Sequence, residues 1–170
     1  MLREVTEEDR DLVREWRNHP TVRKASFTTH EIGAAEHARW WAAVAGDPTR
    51  KVLIYERDGI ASGVVIFTDI DQTARSADWS FYLDADGVEA RGDTLRAWFG
   101  IEKEAVSYAF GTMALERLEG ETLAWNTPVR DLHRRSGFSE IETYVREVDG
   151  QPQEVVRTSM TAASWKGDRA

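Results

Sequence analysis

Ser76-Ala77-Asp78-Trp79-Ser80-Phe81-Tyr82-Leu83 alternates without a break: Ala77, Trp79, Phe81 and Leu83 fall on one side, Ser76, Asp78, Ser80 and Tyr82 on the other. A period of two predicts a half-buried strand. Upstream, residues 51–56 are rich in apolar side chains, Asp58-Gly59 is a two-residue hairpin signal, and 60–69 returns through Val64, Val65, Ile66 and Phe67. These three segments predict an antiparallel meander. Downstream the pattern breaks. Residues 84–98 read as an irregular loop carrying Gly87, Arg91, Gly92 and Arg96, and 100–118 reads as one long helix.

The flanks complete the order. Residues 1–5 read as a first strand, and Thr6 followed by Glu7, Glu8 and Asp9 opens a helix that Asn18-His19-Pro20 stops. A second helix is predicted over 33–45, with Ala34, His37, Trp41 and Val44 on one stripe. After the long helix comes a strand over 120–125, then a helix entered at Asn126-Thr127-Pro128 and closed at Ser136-Gly137. Strands 139–147 and 152–162 flank the Asp149-Gly150 turn. The order β-α-α-β-β-β-α-β-α-β-β predicts one α/β domain over residues 1–165 on a mixed sheet, with a short polar tail at 166–170. Strand 152–162, placed at a sheet edge, offers a surface for a homodimer.

Composition narrows the chemistry. The chain has 170 residues and no cysteine, which excludes disulfides, thiolate nucleophiles and Cys-ligated metals. Its net charge of −8 disfavours a general nucleic-acid binder. No apolar run reaches the roughly 18–20 residues of a membrane span, and the start MLREVTEEDR is not a signal peptide. A cytoplasmic protein with neither nucleic-acid nor membrane partner is the expectation. Seven Trp is an unusual number, so some, Trp40 and Trp79 among them, are candidates to line a pocket for a flat or sugar-like ligand.

Three constellations can carry function. The loop with Arg91, Gly92 and Arg96 opens a helix near Gly100, and a helix N-terminus with a close-approaching backbone favours a phosphate; solvated arginines on a plain loop are the alternative. Asn126 stands at the C-terminal end of a strand, where ligand crevices open, and His133 follows two turns into the next helix. That histidine can exchange a proton near neutral pH, or merely pack. The third group is Arg17, Asn18 and His19, then Phe27 and His30, then Trp40: a polar wall for a substrate. His30 and His37 are seven apart, which matches no usual helical zinc pair, so no metal site is expected.

Taken together, WRNHPTVRKASFTTHEI (16–32), EHARWW (36–41), GVVIFTDID (63–71), SADWSFYL (76–83), LAWN (123–126), LHRRSGF (132–138) and REVDGQPQEVVRTSM (146–160) resemble the GNAT superfamily of N-acetyltransferases. The likeness runs from about residue 2 to 165 and is narrowest to the branch that acetylates UDP-linked 4-amino sugars in pseudaminic acid synthesis. It implies the GNAT fold, a central mixed, mostly antiparallel sheet flanked by helices, and acetyl-CoA as co-substrate. It places the cofactor in a V-shaped gap between the strands ending at Leu83 and Trp125. Backbone around Phe81, Tyr82 and Leu83 would pair with the pantetheine, Asn126 would touch the cofactor arm, and Arg91, Gly92, Arg96 and Gly100 would hold the pyrophosphate. His133 stands where many relatives have a tyrosine that reprotonates the departing thiolate. His30, or a water near Asp69 and Asp78, is the implied base.

The chain departs from the family at the pyrophosphate loop, usually R/Q-x-x-G-x-G/A. Leu95-Arg96-Ala97-Trp98-Phe99-Gly100 keeps only the second glycine, with Trp98 in place of the first. Alternatively Arg91-Gly92 is the family's Arg-Gly and residues 93–98 are inserted. The resemblance thus implies an acyltransferase acting on a small amine, foremost a nucleotide-linked aminosugar bound by Arg17, Asn18, His19, Phe27, His30, Trp40 and Trp79. Acetylation of protein N-termini, and a GNAT-shaped protein that binds a metabolite without transfer, are the alternatives.

Overall fold

A computed structural model of the protein describes residues 1–165 and 167; the polar tail expected over 166–170 lies, Gly167 apart, outside the described residues. The strands are β1 (Leu2–Glu4), β2 (Lys51–Arg57), β3 (Ile60–Asp71), β4 (Ser76–Leu83), β5 (Arg117–Leu123), β6 (Ser139–Val148) and β7 (Gln151–Thr161). The helices are α1 (Arg10–Asn18), α2 (Pro20–Lys24), α3 (Ala34–Ala45), α4 (Ala85–Ala90), α5 (Thr94–Ser107) and α6 (Thr127–Ser136). All seven strands join one sheet in the order β1-β2-β3-β4-β5-β7-β6. Every neighbouring pair is antiparallel except β4 with β5. This is the mixed, mostly antiparallel α/β sheet expected from the sequence.

Alternation along the strands gives the sheet two apolar faces. Leu53, Tyr55, Val65, Phe67, Ala77, Trp79, Leu118 and Met160 pack under α5, whose Ala97, Ile101 and Ala105 are fully buried. The other face, through Val52, Ile54, Val64 and Tyr82, packs against Val13 and Trp16 of α1 and Trp41 of α3. Trp40 and His37 belong to this second core. The His37 ring lies 5.3 Å from Trp40 and 5.9 Å from Trp41, so the partly buried Trp40 packs on this core.

Three expectations are corrected. Residues 84–98 are not irregular: Asp84 accepts from the Gly87 N–H and opens α4, and α5 already begins at Thr94. Gly100 is inside α5, because a Cβ there would collide with the Tyr55 hydroxyl; it sets the helix-to-sheet distance and lies in no phosphate loop. The long helix does not reach residue 118. It loosens into a π turn over Tyr108–Thr112, and the Arg75 carbonyl then accepts from the N–H groups of Glu116 and Arg117, which starts β5. Third, β7 is not an edge strand. It inserts between β5 and β6, because the tight Asp149-Gly150 hairpin lets β6 fold back outside it, so β6 is the edge.

The N-terminus is tied down by charge. Asp9, almost fully buried, takes two hydrogen bonds from Arg3 at 2.7 and 2.9 Å and one from the Thr6 N–H at 2.8 Å. The hydrogen bond from Arg3, chiefly, holds the Asp9 carboxyl below the usual carboxylate range. A depressed folded-state value means that this stabilisation is present above about pH 4 and is lost as pH falls through the folded value. Asp9→Asn should therefore cost about 1–3 kcal/mol at pH 7 and make the stability decline below about pH 4 shallower. Urea melts across pH 3–7 measure both; an unchanged acid limb would remove Asp9 from the account.

Candidate active site

The parallel contact between β4 and β5 is short. Ser76 pairs with Arg117, Ala77 with Leu118 and Asp78 with Glu119, and there the ladder stops. Beyond it β4 stays bonded to β3 as far as Leu83, while β5 stays bonded to β7 as far as Leu123. Each strand keeps its outer partner while the inner pairing ends, so the two separate on that side. The result is a V-shaped gap whose walls carry backbone N–H and C=O groups that the ladder does not use.

On the α5–α6 face the gap is lined by rings. Trp79 stacks on Phe81 and Phe138, with centroids 5.4 and 5.7 Å apart, and Trp98 meets Phe81 edge-on at 5.9 Å. Gly120 makes this possible, since a Cβ there would sit 3.2 Å from Trp79 Nε1. Trp79, 5% exposed, is therefore core on the helix face and is not part of the wall formed by α1 and α2. His133 is buried against the same rings, 5.6 Å from Trp79 and 6.2 Å from Phe81. Its Nδ1 lies 3.0 Å from Glu102 Oε1 on α5.

Between α4 and α5 Gly92 adopts a φ of +65°, and α5 starts at Thr94 without a side-chain cap. Asp93, at the capping position, gives its carboxylate to Arg57 instead. Uncapped first-turn N–H groups and the helix dipole suit an anion. Arg96 is exposed in that first turn. Arg91 is turned inward, donating to Ser62 Oγ at 3.0 Å with Asp84 at 4.0 Å. Trp98 stands a full turn inside α5, so neither it nor residues 94–97 belong to a loop. Asn126 precedes α6 at the end of β5 and its side chain caps nothing.

The opposite face is polar. Arg157 of β7 reaches Asp78 at 2.9 Å, Glu119 at 2.6 Å and Glu121 at 3.2 Å, directly at the base of the V. Tyr144 donates to Glu121 at 2.7 Å. Burial pushes the Asp78 carboxyl above its ordinary range; Arg157 opposes this, while Glu119 and Asp69 add to it. Burial also works against the Arg157 charge, but Glu119 and Asp78 more than offset it.

Above this network the segment 27–32 is strapped in place. Arg17 donates to Thr28 O at 2.9 Å, Arg23 to Thr29 O at 2.8 Å, and Asn18 exchanges two bonds with the Ile32 backbone at 2.7 and 2.9 Å. Asn18 is thus spent on the segment. Phe27 packs on Leu123 and Val155, under Arg146 at 4.2 Å. His19 caps α2 through Thr21 and reaches Asp86 of α4 at 3.3 Å. His30 is exposed and paired with Glu36 at 3.0 Å. A recess between α2 and the β6–β7 hairpin is lined by Arg23, Lys24, His30 and Trp125.

Residues 1–139 match the family described as acetyltransferase (GNAT) domain. The chain belongs to the GNAT acetyltransferase family. Acetyltransferase PseH of Campylobacter jejuni is 25% identical over 136 residues, 80% of each chain. Among solved structures, spermidine N-acetyltransferase from Vibrio cholerae in complex with CoA and spermine superposes with a TM-score of 0.81 at 17% identity, covering 96% of both chains. The spermidine/spermine N-acetyltransferase SpeG of the same organism, in complex with manganese ions, gives 0.76 at 18% identity over 96% of this chain and 92% of that one. At such identity the structures establish the shared fold. As a GNAT acetyltransferase the chain is an acyltransferase that uses acetyl-CoA.

The gap fits that donor. An opened ladder suits a pantetheine arm, and an uncapped helix start next to a positive-φ glycine suits a pyrophosphate. Among the described residues no His/Asp/Glu group could hold a metal, and no helix is long and apolar enough to cross a membrane. Sequence reasoning missed Glu102, Arg157, Glu119 and Glu121. Glu102 was signalled as an acid on the apolar stripe of Ala97, Ile101 and Ala105; the Arg157 cluster draws on three strands and had no local signal.

Arg157→Met should leave Asp78 without its cation, and Glu119 and Glu121 with only the more exposed Arg117 at 3.3 Å and Arg146 at 3.8 Å. We expect a loss of about 2 kcal/mol at pH 7, discounted from a fully buried pair because the side chains are partly exposed. Carboxyls raised in the folded state favour folding when protonated, so the variant should regain stability as pH falls from 7 toward 5. Denaturant melts of both proteins at several pH values check this; a pH-independent difference would contradict it.

Proposed function

We propose that this GNAT acetyltransferase acetylates the amine of a small molecule that carries anionic or hydroxyl-rich groups, of the nucleotide-linked aminosugar class. The observation that carries this is Arg17. Its Nη2 is bound to Thr28 O, while its Nη1 is buried with no partner. Burial, the largest cause, lowers the Arg17 pKa. A buried, unanswered N–H of a cation is costly unless a ligand oxygen completes it. Nearby, Arg23 and Lys24 border the recess, and Trp125 is 48% exposed with Lys24 Nζ 5.5 Å from its ring centroid. Cations beside an open indole suit a phosphate joined to a flat base. The resemblance to the aminosugar branch and the match to PseH support the same reading.

When bound, acetyl-CoA supplies a thioester carbonyl for direct attack by the amine. Arg96 and the α5 start hold the pyrophosphate, backbone of Phe81, Tyr82 and Leu83 meets the pantetheine arm, and Asn126 touches it. Arg91 acts by fixing the loop through Ser62. Asp78, at the last parallel pair and held above the usual carboxylate range chiefly by burial, takes the amine's proton in preference to the exposed His30. His133 protonates the leaving sulfur.

A second reading, a polyamine acceptor, is favoured by the acidic Asp78–Glu119–Glu121 group, although Arg157 answers all three. Thiol release from acetyl-CoA over a panel of nucleotide-linked aminosugars, spermidine and N-terminal peptides separates the readings. We expect turnover with the first class; spermidine or peptides alone would displace the proposal. Arg17→Met should raise the acceptor KM at least about tenfold with the acetyl-CoA KM little changed, and Arg96→Ala should do the reverse.

A further inference from the structure

Glu102 has no role in the reading above, which nevertheless supplies its setting. It projects from the middle of α5 and is completely buried. One carboxylate oxygen meets His133 Nδ1 at 3.0 Å; the other, Oε2, has no partner. Around the pair stand Trp79, Phe81 and Phe138, which offer no charge. Other groups on α6 are engaged elsewhere: Arg130 with Glu140 at 2.8 Å, and Arg134 with Asp131 at 2.7 Å. Glu102 is the ionisable side chain that faces His133 among the described residues.

Packing does not explain a carboxylate here. Burying an ion pair takes both groups out of water, and well-packed apolar side chains of similar volume usually hold two helices together as well or better. What an apolar residue cannot do is fix a ring. By accepting a hydrogen bond, Glu102 keeps the proton on Nδ1 and turns Nε2 toward the remaining open direction.

We propose that Glu102 is a positioning residue for acetyl transfer: through the Nδ1 hydrogen bond it locks the orientation of the His133 ring, whose Nε2–H serves the leaving sulfur. The step balances. The amine nitrogen bonds to the acyl carbon as the carbon–sulfur bond breaks, His133 Nε2 gives its proton to the sulfur, and the amine's surplus proton passes to Asp78. The Nδ1–H stays bound to Glu102 throughout, and solvent later returns a proton to Nε2. This rests on the acetyltransferase reading of the gap, and α5 links its two ends: the same helix that begins at the pyrophosphate loop carries Glu102.

The test is Glu102→Gln, which keeps shape and removes charge. We expect kcat to fall about 10–100-fold, with the acetyl-CoA KM within about threefold, and the kcat–pH profile to change shape. Independently of turnover, NMR of histidine-labelled protein should show a deshielded, slowly exchanging Nδ1–H for His133 that is lost or moved upfield in the variant. In a His133→Phe background, Glu102→Leu should fold and change kcat no further. A lower melting temperature with an unmoved pH profile and an unchanged NMR signal would make Glu102 a strut and overturn the proposal. If the wild type releases no thiol with any amine, the acetyl-transfer reading fails instead, while the NMR signal still reports whether the pair exists.

Discussion

The structure depends on a parallel contact that lasts three residue pairs. β4 is claimed by β3 and β5 by β7, each in antiparallel register over most of its length. Once the strands pass Asp78 and Glu119 each keeps its antiparallel outer neighbour and the inner parallel pairing ends. The gap that follows is unpaired backbone held open by two well-paired half-sheets. Arg157 pins its base by drawing one carboxylate from β4 and two from β5.

Each face of that gap has its own chemistry because strand side chains alternate. Odd-numbered positions of β4 give an aromatic layer under α5 and α6 around a buried imidazole. Even-numbered positions give Asp78, Ser80 and Tyr82 to the side roofed by α1, α2 and the strapped segment 27–32. That division puts Trp79 on the helix-covered α5–α6 face and Arg17 on the opposite one, although neither residue type marks a face by itself.

Several candidate site residues have partners that only folding supplies. Asn18 spends its amide on Ile32, His19 bridges to Asp86, and Trp40 packs with His37 and Trp41. Gly100 is a close-packing residue in a helix because Tyr55 of β2 lies against it. The glycine and arginine signals between 84 and 98 suggested a loop, yet Asp84 capping α4 and the apolar run Ala97, Trp98, Ile101 outweighed them.

Local pattern settled the strands, the Asp58-Gly59 and Asp149-Gly150 hairpins, the α6 entrance at Asn126-Thr127-Pro128 and the family, since period and turn chemistry act over a few residues. Tertiary structure alone decided that β7 lies inside β6, that Trp98 belongs to α5, and that Glu102 meets His133 across 31 positions of chain. Those outcomes depend on which surfaces bury each other, and side chains remote in sequence carry no mark of it until the sheet has brought them together.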